Sequence, residues 1–293
     1  MSLGLNALLV EDSTATKALF FLALAFVFCF LSRKHFYWFT CICLFLALGV
    51  MASRIMWPGV LILSITGGLL AVYHLKINLP MWGRLAVTLL ALGIGAALSL
   101  HLLPGFDNWH VGRDVIKGSG RPFQLYLNFD KPFFGVVFFA LAGQAARSQK
   151  SWKVILKPVF IALPGALIAV LGGAFTLGWL NLEVISPPDW IGVWVFKNLF
   201  LTVIAEEALF RGLIQKELHQ YLPSKWKWLA LVMASFLFGL AHFGGGTRYV
   251  LAATFAGLFY GWVWQRAGQR LEASILTHFG LNLTHLLLFT YPQ

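Results

Sequence analysis

The chain has 293 residues, of which 59% are hydrophobic and 11% charged, with a mean hydropathy of +0.78. A soluble domain needs roughly 25% charged residues to solvate its surface, so most of this surface faces something other than water and a soluble fold is excluded. The formal net charge of +11 does not indicate nucleic acid binding, because the basic residues lie between apolar spans and not on one polar face.

In chain order, apolar segments fall near 16–31, 36–53, 56–75, 83–103, 132–146, 155–179, 190–214, 227–243, 249–265 and 272–290. Ala18–Leu31, Phe39–Met51, Val60–Val72 and Leu85–Leu100 contain no charged residue. With their flanks, each reaches the roughly 20 residues that span about 30 Å of hydrocarbon. The expected fold class is all-α, a polytopic transmembrane helical bundle of about ten spans. Cys29, Cys41 and Cys43 all fall inside spans, with no disulfide or metal spacing, and read as packing residues. The first span lacks a small-residue cleavage site and is expected to stay.

Three regions follow: four plain spans over 1–104, a polar and aromatic extramembrane loop over 105–131, and a back half over 132–293 that holds the unusual residues. The loop carries Trp109, Phe123, Tyr126 and Phe129, aromatics that favour a membrane–water interface. Basic residues between spans divide thirteen against seven on alternate sides, and the acidic ones fall almost wholly on the poorer side. The richer set belongs in the cytoplasm, which puts both termini outside. The expected setting is a bacterial inner membrane.

Charged and imidazole side chains inside a span are costly and mark function or a specific pairing. Three places in the back half have them. The first is Val203–Arg211, the second Phe238–His242 followed by Gly244, Gly245 and Gly246, and the third His278–Asn282 with His285 beyond. Glu207 and Arg211 are four apart and share a helix face, where an ion pair would have a structural role. Glu206 is turned about 100° from Glu207. It needs a partner from another helix, and His242 is the candidate. His278 and Asn282 also share one face. Lys197 is expected to snorkel toward an interface, and His285 to serve helix-end polarity.

Together the four polar groups make sense as a hydrolytic site. A carboxylate and an imidazole can take a proton from water and return it to a leaving amine. A His and an Asn side by side can donate hydrogen bonds to the developing oxyanion. No Ser or Cys stands beside a His as a nucleophile would, so an activated water is the more natural attacking group. Singly, each motif has a bland reading as helix packing or interhelical hydrogen bonding.

In order and spacing, Glu206-Glu207-x-x-x-Arg211, Phe238-x-x-x-His242 and His278-x-x-x-Asn282 resemble the motif set of the CPBP family. This is the CAAX-protease and bacteriocin-processing family, also called the type II CAAX prenyl endopeptidase or ABI family. The resemblance covers about residues 155–290 and implies an intramembrane endopeptidase. On that analogy Glu206 and His242 activate water, His278 and Asn282 form the oxyanion hole, and Glu207 with Arg211 hold the geometry. Members have been described both as glutamic proteases and as metalloproteases. The metal-free reading is preferred, since HExxH is absent and Asn is a poor zinc ligand. The zinc alternative would use Glu206, His242 and His278. The implied partners are the lipid bilayer and a membrane-associated protein or peptide: a prenylated tail, a leader peptide or a C-terminal sorting tail. Two other classes stay open, a non-catalytic binding or immunity protein of the same fold and a proton-coupled transporter.

Overall fold

The computed structural model describes residues 11–75, 79–115, 123–184 and 189–290. Lys76, Lys117 and Arg121 of the charge pattern lie outside them. Among the described residues ten helices occupy the ten expected segments. They are α1 (Ser13–Leu31), α2 (His35–Met51), α3 (Trp57–His74), α4 (Met81–Ser99), α5 (Lys131–Ala142), α6 (Gln149–Thr176), α7 (191–221), α8 (Lys227–Leu240), α9 (Thr247–Arg266) and α10 (Leu271–Leu288). By length and composition four of them, α1, α3, α4 and α6, can cross a membrane. The all-α class therefore holds, and crossing capacity is shown for fewer helices than the ten expected spans. α5 has 12 residues and α8 has 14, too few for a full crossing on their own.

The chain divides into two compact units. The first takes in α1–α5 and α7 through Leu209; the second takes in α6, α7 from Phe210, and α8–α10.

In the first unit α5 is the centre. Every residue from Lys131 to Ala140 is buried, and the helix packs against α1, α3, α4 and the 197–207 stretch of α7. Phe139 meets Phe26 of α1 at 4.7 Å between ring centroids. A Cβ on Gly135 would fall 2.5 Å from the Ala205 Cα, so α5 and α7 touch backbone to backbone and only glycine fits there. Gly143, at φ +63°, ends α5 in the left-handed conformation usual for helix stops.

The segment read as an open loop contains a hairpin, β1 (Trp109–Val115) paired with β2 (Phe123–Leu127). Strand alternation explains it. Trp109, Val111, Leu125 and Leu127 point inward and are buried, while His110 stacks on Tyr126 at 4.3 Å. Trp109 and Phe129 are thus core residues and not interface aromatics; Phe129 stacks on Phe45 at 6.1 Å. Arg54 ties this end together, with ion pairs to Asp12 at 3.3 Å and Asp107 at 2.5 Å and its guanidinium 5.1 Å from the Trp109 ring.

In the second unit α6 starts at a capping box formed by Ser148 and Ser151. It later widens into a π-turn over Leu167–Gly172, after Pro158 and Pro164 have interrupted the hydrogen-bond ladder. α8 lies hard against α9, since a Cβ on Gly239 would sit 1.9 Å from Thr254 Oγ1. Gly280 of α10 makes a similar close approach to Leu163 of α6. The stretch after α6 pairs with the end of α10 through the Leu182–Phe289 bridge.

Candidate active site

α7 carries the first motif, and its ladder is irregular there. Lys197–Val203 and Ala208–Gln215 are π-helical, and the one α-turn between them is Ile204–Glu207. Such wide turns recur at functional sites, and they alter which side chains share a face. Glu207 is fully buried, and Glu206 is largely so.

One partner of Glu206 lies within the first unit. Lys131 Nζ of α5 lies 3.5 Å from Glu206 Oε1, the two side chains being 11% and 15% exposed. Lys197 stands in the field of both charges, on the π-turn that packs along α5. It is half-buried there.

The neighbour of Lys131 is equally constrained. Asp130 caps α5, accepting from the backbone N–H of Lys131 at 2.7 Å. Its other oxygen accepts from His101 Nδ1 at 2.6 Å and from Asn108 Nδ2 at 3.0 Å. Asn108 in turn accepts from the Phe129 N–H at 2.8 Å. Burial pushes the Asp130 carboxyl up, but the bonds from His101, Asn108 and the Lys131 N–H outweigh it and hold the group below its ordinary value of 3.8. A carboxyl depressed on folding stabilises the fold above its unfolded pKa, and the gain is lost as pH falls through the folded value. Asp130→Asn is therefore expected to melt below the wild type at pH 7. The gap should narrow as pH is taken below 3.8, as followed by thermal unfolding in detergent.

The second unit brings together the other motifs. His242 Nδ1 lies 2.7 Å from the Phe238 carbonyl one turn back. A carbonyl only accepts, so Nδ1 carries the proton and Nε2 is the basic nitrogen. The Phe238 ring then meets both imidazoles, at 4.6 Å from His242 and 5.6 Å from His278. Tyr260 of α9 stacks flat on His278 at 4.4 Å, with 15° between the planes. Tyr249 closes on His242 from the start of α9, edge to face at 5.3 Å. Gly246, at φ +84°, makes the turn from His242 into α9. His278 is buried and Asn282, one turn further along α10, is half-buried.

Arg211 braces this group. It is fully buried, donates from Nη2 to the Gly257 carbonyl at 2.9 Å, and lays its guanidinium 4.7 Å from the Phe238 ring and 5.4 Å from the Tyr260 ring. Gln215, one step along α7, repeats the contact by donating to the Gly261 carbonyl at 3.1 Å. Both glycines stand close to these side chains. A Cβ on Gly261 would meet Gln215 Oε1 at 2.5 Å, and one on Gly257 would crowd Arg211 and Ser235. His285 bonds the Thr290 carbonyl at 3.1 Å, in keeping with a helix-end role.

The sequence missed Lys131, Tyr260, Gln215 and the Asp130 clamp. Among the described residues no group of three or more His, Cys, Asp or Glu side chains is placed to hold a metal ion.

Residues 188–284 match the family model of the type II CAAX prenyl endopeptidase Rce1-like proteins. The match takes in all three motifs and agrees with the resemblance read from their spacing; α1–α6 lie outside it. The family is one of CAAX-type peptidases that act on membrane-associated proteins. No curated protein and no solved structure matches the chain.

Proposed function

We propose that the chain is an intramembrane endopeptidase that hydrolyses a peptide bond near the membrane-anchored terminus of a protein, with Glu206, His242, His278 and Asn282 acting on one water and one substrate carbonyl. The observation that carries this reading is the His242 tautomer, within a match that spans every motif. With Nδ1 committed to the Phe238 carbonyl, Nε2 can take a proton from water and later deliver it to the leaving amine. Glu206 is the companion carboxylate, orienting the water and stabilising the imidazolium. His278 and Asn282 donate to the oxygen that becomes negative as water adds to the carbonyl. Glu207 and Arg211 keep α7 in register for that chemistry.

A metal-free site is part of this reading, since HExxH is absent from the sequence and Asn in fourth place is a poor zinc ligand. The chemistry is derived from side chains and water alone. The surplus of Lys and Arg on one set of loops supports an orientation with both termini outside.

The test is a mass-spectrometric comparison of membrane-protein termini in host cells carrying the wild type or Glu206→Gln. A set of proteins that keep a tail or leader in the variant supports proteolysis and names the substrate. Identical termini, with the variant still rescuing a deletion phenotype, would transfer the case to a binding or immunity role.

A further inference from the structure

We propose that Lys131 is a positioning residue for Glu206, an inference that rests on the peptidase reading above. The motifs do not include it, and it belongs to another helix. Its ammonium nevertheless lies 3.5 Å from the carboxylate.

Three features fix that contact. Lys131 is the first residue of α5, and its backbone N–H is held by Asp130, which His101 and Asn108 hold in turn. The axial register of α5 against α7 is set by Gly135, whose missing Cβ lets the backbone of Ala205 approach. Glu206 is the next residue after Ala205, so the contact that sets the helix spacing also sets the distance between ammonium and carboxylate. Both side chains are largely out of solvent. A carboxylate there without a cation would be costly in its charged form, and the group would neutralise.

The consequence is chemical. A carboxylate accepts at two oxygens. Pairing at Oε1 holds the side chain in one rotamer and in its anionic form without exhausting its capacity to accept. Lys197 supplies a second positive charge along the same helix. Such a constraint acts on the chemical step and not on substrate affinity, because Lys131 reaches the reaction through Glu206.

The experiment uses the purified full-length chain in detergent and a synthetic peptide copied from a terminus that Glu206→Gln leaves uncut. Lys131→Met is expected to lower kcat by about 10- to 100-fold, a fraction of what a general base supplies, with KM within about twofold. Lys131→Arg, which keeps the charge, is expected to restore kcat to within about fivefold of the wild type. Two results overturn the proposal: a Lys131→Met enzyme with wild-type kcat, or a folded Lys131→Arg enzyme as slow as Lys131→Met. Where Lys131→Met fails to fold, Lys131→Gln is measured against Lys131→Arg, and the same comparison decides. A wild-type chain that cuts no peptide overturns the peptidase reading itself, a result distinct from failure of the Lys131 inference.

Discussion

Glu206→Gln and His242→Gln are each expected to lower peptide cleavage by about 10²- to 10⁴-fold, and the double variant is expected to be scarcely slower than the worse single. Each substitution nearly keeps the volume of its side chain. Glu206→Gln removes a negative charge that Lys131 already faces, and His242→Gln removes the basic nitrogen opposite the Phe238 bond. Groups that act as a unit on one water lose their whole contribution when either is lost, so their effects do not add. Single-turnover rates of the four proteins check this. Two independent losses whose logarithms sum would separate the two residues into different steps.

The second large effect is expected at α10. Asn282→Ala should reduce kcat by about 10²- to 10³-fold, the usual loss of one oxyanion donor, while KM moves little. The donor matters only once charge has developed on the carbonyl oxygen. Tyr260→Phe is the control on the same wall. It keeps the ring that stacks on His278 at 4.4 Å, so kcat should remain within a few-fold of the wild type. An Asn282→Ala enzyme whose KM rises while kcat stands still would make Asn282 a substrate-binding residue.

Much of this architecture was legible in the sequence, because apolar runs interrupted by charge leave a strong signal and helical spacing is short-range. The ten segments and the polar positions on α7, α8 and α10 follow from it. What escaped depends on contacts distant in sequence. Lys131 sits at a loop's end, where a lysine is ordinary; its meaning comes from a residue 75 positions away. The hairpin was hidden because its strands are short and their alternation is diluted by polar neighbours. Trp109 and Phe129 looked like interface aromatics because composition does not reveal which side of a strand faces a core. The face argument for Glu207 and Arg211 assumed 3.6 residues per turn, whereas Ala208–Gln215 is wound more widely.

The shortness of α5 has a consequence for the order of assembly. Twelve residues at about 1.5 Å each rise about 18 Å, well under the roughly 30 Å of a hydrocarbon core. Unlike α1, α3 and α4, it lacks the length to cross a bilayer by itself. Every residue from Lys131 to Ala140 is buried against those helices and α7, so its surroundings must be in place before it can settle. α5 therefore belongs to a late step of folding, after the longer helices have formed.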